Sequence, residues 1–149
     1  MADRYEESSG AVIFYLENNE PFFLLLKYPS YWGFAKGLIE KDENIEQTMR
    51  REVEEETGLK DVELLPGFSY IQEWFYRFDG QLVKKKAVFL LAKVDKKVRD
   101  TIKLSYEHEA FEWNSFEEAI KKMKIKNNRE MLTSAYNFIK ENHISKGLQ

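Results

Sequence analysis

Residues 37 to 59 read GLIEKDENIEQTMRREVEEETGL, and no other stretch constrains the chain as strongly. Asn44 stands where it can cap a helix start with Gln47 reaching back, and Gly58 stands where a left-handed residue ends one. Between these caps the apolar residues recur at helical spacing. At about 100° per residue, with Ile45 at zero, Met49 falls at about 40° and Val53 at about 80°. Glu56 at about 20° and Glu52 at about 340° lie inside that apolar stripe, Glu55 lies at its edge at about 280°, and Glu54 points away at about 180°. Neighbouring carboxylates on a helix repel, and one turned toward the protein body is costly unless it is paired or binds a metal. Arg51, at about 240°, is placed to orient Glu55 or a neighbouring carboxylate from the side. Magnesium or manganese, which take oxygen ligands, would relieve the rest of the repulsion. The bland alternative is a solvated surface helix, the usual fate of a charge run.

The flanking sequence supplies strands. GAVIFYLE and FFLLLKY around NNEP predict a hairpin, and DVELLPGFSYIQEWFYRF and QLVKKKAVFLLAKV predict two longer strands joined at Asp79-Gly80. HEAFEW predicts a further strand. Ser115 and Glu118 are spaced as a capping box at the start of SFEEAIKKM. From about Asn128 to Glu141, Met131, Leu132, Ala135, Phe138 and Ile139 share one helical face, which predicts a packing helix. Strands outnumber interspersed helices, so a mixed sheet covered by helices is expected.

Composition sets the context. A chain of 149 residues, 43% hydrophobic and 15% aromatic, can build the core of one domain, expected over residues 1–149. The net charge of -3 argues against a protein that coats nucleic acid by bulk electrostatics. There is no cysteine, which excludes disulfides and thiolate metal sites and fits a reducing cytoplasm. The start, MADRYEESSG, has neither a basic region nor an apolar run, and no apolar block reaches the length of a membrane span. The expectation is a soluble cytoplasmic domain with no membrane contact and no obligate protein partner.

Residues Gly37, Glu43, Arg51, Glu52, Val53, Glu55, Glu56, Gly58 and Leu59 match, without departure, the spacing of the Nudix box, G-x5-E-x7-R-E-U-x-E-E-x-G-U with U apolar. The chain thus resembles the Nudix hydrolases. That resemblance implies an α/β/α sandwich with a mixed β-sheet and Mg²⁺-dependent (or Mn²⁺-dependent) hydrolysis of nucleoside diphosphate derivatives. It also implies Glu52, Glu55 and Glu56 as metal ligands, a peptide carbonyl around Lys36 or Gly37 as a further ligand, and Glu52 as the leading general base. Local chemistry agrees on a rigid cassette, in which Gly37 is expected to permit an irregular loop.

Two further stretches are similar to the asymmetrical dinucleoside tetraphosphate hydrolases. YWGFAKG resembles their loop W-x-F-P-K-G, with Ala35 in place of proline, Lys36 placed to meet a phosphate and Trp32 near the site. LSYEHEAFEW resembles L-S-x-E-H-x-A-x-x-W, with Glu107 as a distal carboxylate for metal binding or catalysis; Glu52, Glu56 and Glu107 are the candidate catalytic acids. His108 alone is too weak a signal to assign. Lys85 falls where that family carries a phosphate-binding lysine, whereas its expected tyrosines are Phe89 and Glu73 here. Tyr70, Trp74 and Tyr76 alternate onto one strand face, either as a base platform or as packing. The lysines at 84 to 86 equally suit a solvated sheet edge that discourages strand pairing.

Three functions compete: hydrolysis of dinucleoside polyphosphates such as diadenosine tetraphosphate, pyrophosphohydrolysis of a nucleoside triphosphate or an RNA 5′ end, and a silent binding module. Retention of every box acid argues against the third.

Overall fold

The computed structural model describes residues 3–142. The expected hairpin forms from β1 (Arg4–Glu17) and β2 (Glu20–Lys27), paired from Phe14↔Phe23 to Glu17↔Glu20. Its turn places Asn18 and Asn19 at φ 53° and 65°, the left-handed region that asparagine tolerates best after glycine. The second hairpin forms between β6 (Tyr70–Phe78) and β7 (Gln81–Lys93), with Asp79 and Gly80 at φ 55° and 75°. β1 is longer than its apolar run, because Arg4 to Glu7 extend the parallel pairing with β7 that starts at Arg4↔Val83.

β1 and β7 form the parallel spine of a mixed sheet. Toward the start of β1 this spine is flanked by β4 (Ala35–Leu38) on one side and β6 on the other. Toward its end it is flanked by β2 and by β5 (Glu63–Leu64), and β2 also pairs with β3 (Trp32–Gly33) and β8 (Ala110–Ser115). Lys36 of β4 and Gln72 and Trp74 of β6, from the two sides of the spine, line one cavity with Phe89 of β7.

Alternation along the spine makes two cores. Ala11, Ile13 and Tyr15 face α1 (Ile45–Thr57) with Met49 and Val53, while Val12 and Phe14 face Met131, Leu132, Ala135 and Ile139 of α3 (Lys126–Glu141). α2 (Phe116–Lys122) adds Ala119 to the second core. Helices on both faces of a mixed sheet make the α/β/α sandwich expected from the sequence. No helix among the described residues is long and apolar enough to cross a membrane.

Several local expectations are corrected. DVELLPGFSYIQEWFYRF is not one strand: Pro66 lacks an N–H and Gly67 sits at φ 95°, so the chain leaves β5 and re-enters the sheet at β6. The three lysines do not lie on an edge. β7 is interior, and Lys84, Lys85 and Lys86 alternate faces to pair with Glu73 at 3.7 Å, Glu6 at 3.3 Å and Glu7 at 3.6 Å. β8 begins at Ala110, leaving His108 and Glu109 in the preceding loop, and α3 begins at Lys126, a turn's fraction earlier than expected. Ser115 caps α2 by accepting from the Glu118 backbone N–H at 3.3 Å. Gly37 is not in an irregular loop but within β4, opposite Ser9 of β1.

Candidate active site

α1 is held as the sequence predicts, with the reciprocal Asn44–Gln47 capping box at its start and Gly58 at φ 80° at its end. The orienting role expected of Arg51 is broader than one carboxylate. Its guanidinium grips Glu43 through two bonds of 2.7 and 3.0 Å, donates to Glu52 at 2.7 Å and to Glu55 at 3.3 Å, and reaches the Leu38 carbonyl at 3.0 Å. Glu43 also accepts from Thr48 Oγ1 at 2.7 Å and from the Glu40 N–H at 3.0 Å. The Arg51 bonds, then those from Thr48 and Glu40, hold its carboxyl down to about 2. Glu43, a residue without an assigned role in the sequence, is therefore the clamp that fixes the loop to the helix.

The acids inside the apolar stripe take distinct environments. Glu52 lies against β4, and a Cβ on Gly37 would collide with its carboxylate, so this position needs glycine for space and not for conformational freedom. Glu56 is 3% exposed. Burial pushes its carboxyl well above the usual carboxylate range, a hydrogen bond and charge from Glu52 and the charge of Glu107 push it further, and the Lys36 backbone N–H opposes them. Its Oε1 has no hydrogen-bond partner. Glu54 is exposed and faces away, as the helical geometry requires.

Glu52, Glu55, Glu56 and Glu107 line one cleft of about 650 Å³, together with Gly37, Lys36 and Lys85. Among the described residues no three acidic or histidine side chains converge closely enough to ligate one ion. The donor set nevertheless fits a hard cation: it offers oxygen ligands only, and the charges of Glu52 and Glu107 press on Glu56 in a way that a divalent ion would relieve.

Lys36 is shared between this cleft and an adjoining cavity of about 310 Å³. Burial, then the charge of Lys85, lowers the Lys36 ammonium below the usual lysine value. The Nζ atoms of Lys36 and Lys85 lie 5.7 and 5.8 Å from the Trp74 ring centre. Trp74 thus backs both cations and forms a wall of the cavity. Trp32, Tyr70 and Tyr76 line neither space. Trp32 packs on the core beneath Lys122, whose Nζ is 5.1 Å from the ring centre; Tyr70 is half-buried on the same core; and Tyr76 is 37% exposed further along β6. Packing explains Trp32 and Tyr70, so the aromatic face narrows to Trp74.

The sequence reading missed Tyr28 and Tyr31, stacked with ring centres 4.7 Å apart, and the buried pair Gln72–Asn128, bonded at 3.0 Å, all of which line the cavity. Gln72 shares the alternating face of Trp74 and was within reach of the period-two pattern; Asn128 carries no such signal. Phe89 also lines the cavity, whereas Glu73 lies on the opposite face of β6 with Lys84.

The NUDIX domain model matches residues 7–135. The chain belongs to the NUDIX domain family. Within this Nudix family it is 31% identical over 130 residues to the asymmetrical bis(5'-nucleosyl)-tetraphosphatase of Mus musculus, covering 83% of this chain and 84% of that protein. A shorter similarity, 43% over 58 residues, covers 37% of this chain and 32% of an RNA pyrophosphohydrolase of Teredinibacter turnerae. Among solved structures, a C. elegans Ap4A hydrolase binary complex superposes with a TM-score of 0.78 at 26% identity, covering 91% of this chain and 98% of that one.

Proposed function

We propose that this Nudix hydrolase cleaves a phosphoanhydride of a nucleoside polyphosphate, with diadenosine tetraphosphate converted to ATP and AMP as its leading reaction. The observation that carries this reading is that one lysine, Lys36, lines both the acidic cleft and the aromatic cavity. One space suits a divalent ion and phosphates, the other a base, and a single half-buried lysine serves both. Similarity to the mouse tetraphosphatase along most of the chain supports the choice of substrate.

Glu52, Glu55, Glu56 and Glu107 would hold Mg²⁺ or Mn²⁺, with the carbonyl of Lys36 or Gly37 as a further oxygen. The chemistry such an ion supplies is neutralisation of phosphate charge and a more acidic water. Lys36 and Lys85 grip the polyphosphate, and Trp74 beneath them restricts where their ammonium groups rest. Trp74, Tyr28 and Tyr31 offer aromatic faces to a base. Glu52 is the candidate base: Arg51 fixes its carboxylate beside β4, where it takes the proton of the attacking water. The water oxygen bonds to phosphorus next to a nucleoside, and the bond to the bridging oxygen breaks, so ATP departs with that oxygen.

A panel of nucleotides incubated with Mg²⁺ or Mn²⁺, with products separated by chromatography, tests this. Diadenosine tetraphosphate yields ATP and AMP in equal amounts, and ¹⁸O from labelled water appears in AMP. Two ADP molecules as the main product would overturn the assignment. The local similarity to an RNA pyrophosphohydrolase, with Phe89 and Glu73 where the tetraphosphatase resemblance expects tyrosines, favours one second reading. Faster turnover of 5′-triphosphate RNA or ATP than of the dinucleotide would establish it.

A further inference from the structure

His108 lies outside the Nudix box and has no part in the reaction described above. Its side chain is fully sealed from solvent, with Nε2 3.5 Å from Glu56 Oε1. Neither atom has a hydrogen-bond partner, so two buried polar atoms that each need one face each other and nothing else. The other oxygen of Glu56 is occupied on the side of Glu52 and the Lys36 N–H.

The surroundings favour one tautomer of the ring. Ser105 Oγ accepts from the Glu107 backbone N–H at 3.4 Å and lies 3.2 Å from His108 Nδ1, while Nε2 faces a carboxylate oxygen that can only accept when ionised; the tautomer that satisfies both ends has Ser105 donating to Nδ1. With Nδ1 accepting, the ring proton sits on Nε2, 3.5 Å from Glu56 Oε1. The imidazole plane is held by an edge-to-face contact with Tyr28 at 4.6 Å, and Tyr28 is itself tied down by donating to the Phe34 carbonyl at 3.0 Å.

We propose that His108 is a positioning residue whose Nε2–H holds Oε1 of Glu56, so that Ser105 and His108 lock the loop bearing Glu107 to the carboxylate of the box. This inference rests on the reading that Glu56 ligates the divalent ion. A buried carboxylate with one oxygen unheld rotates, and rotation misplaces the oxygen offered to a cation. The lock joins the loop that bears Glu107 to α1 through the neighbouring His108.

Mn²⁺ titration of the metal-free full chain by calorimetry, without nucleotide, tests the proposal. His108→Phe keeps the packing against Tyr28 and removes the donor; its Mn²⁺ dissociation constant rises about 10- to 100-fold, the usual scale for losing a partner behind a metal ligand. His108→Gln restores an N–H in reach of Oε1 and recovers most of the affinity. Ser105→Ala frees the ring proton to move to Nδ1 and weakens Mn²⁺ binding in the same direction by a smaller factor. At saturating Mn²⁺ the nucleotide KM of each variant stays at the wild-type value while kcat of the Phe variant falls. Circular dichroism checks the fold, and the Gln and Ser105 variants carry the test if the Phe variant unfolds. Mn²⁺ affinities within twofold of wild type, or a Gln variant as weak as the Phe variant, overturn the proposal. A wild type that binds Mn²⁺ but hydrolyses no nucleotide defeats the functional reading alone, because the affinity differences are measured without substrate.

Discussion

The acidic cleft and the aromatic cavity share Lys36, yet they are built by opposite means. The cleft's main acids come from one helix, positioned by caps, an arginine hub and a glycine within a few turns of each other. The cavity draws Tyr28 and Tyr31 from one loop, Gln72 and Trp74 from β6, Phe89 from β7 and Asn128 from α3. Local construction makes the acidic half of the cleft legible, because helical spacing alone brings Glu52, Glu55 and Glu56 together, and other segments supply Glu107, Lys36 and Lys85. Assembly from distant segments leaves the cavity free to vary while the reaction stays the same, consistent with discrimination residing in pocket contacts.

Removing charge from the cleft without changing its shape should have the largest effect. Glu52→Gln or Glu56→Gln should lower kcat by on the order of 10³-fold with circular dichroism unchanged. Near-normal turnover in either would show that the helix acids are not the reactive centre. Gly37→Ala should come next. Its methyl would strike the Glu52 carboxylate and displace it, costing about 100-fold in kcat, since a displacement of about 1 Å is enough. An alanine variant as active as wild type would mean that Glu52 works from another position.

The cavity should respond in affinity instead. Trp74→Ala removes a stacking face and a support for both lysines, and should raise KM roughly tenfold, the lower range of a lost base stack, with a smaller change in kcat. A pure kcat loss would merge the two regions into one catalytic unit.

The smallest effect concerns the clamp. The folded-state pKa of Glu43, about 2, lies below the ordinary value of 4.5, so the stabilisation from its charge is fully present above about 4.5 and disappears as pH falls through about 2. Urea unfolding of Glu43→Gln should therefore show a lower midpoint than wild type at pH 6, with the two converging near pH 2. Equal midpoints at pH 6 would remove Glu43 from the scaffold.

The amino-acid sequence by itself determined the elements whose contacts are close along the chain: both hairpins with their left-handed turns, the capped acidic helix, and the separation of Glu54 from Glu52 and Glu56. These follow from backbone sterics and side-chain periodicity, which operate over a few residues. Only the tertiary structure decided that Gly37 is a space-maker, that Tyr70 and Trp32 pack while Trp74 faces the site, and that His108 meets Glu56. Each depends on which segments the mixed sheet and its helices bring side by side. A strand pattern states that a residue alternates faces, but what stands opposite that face is supplied by an element elsewhere in the chain.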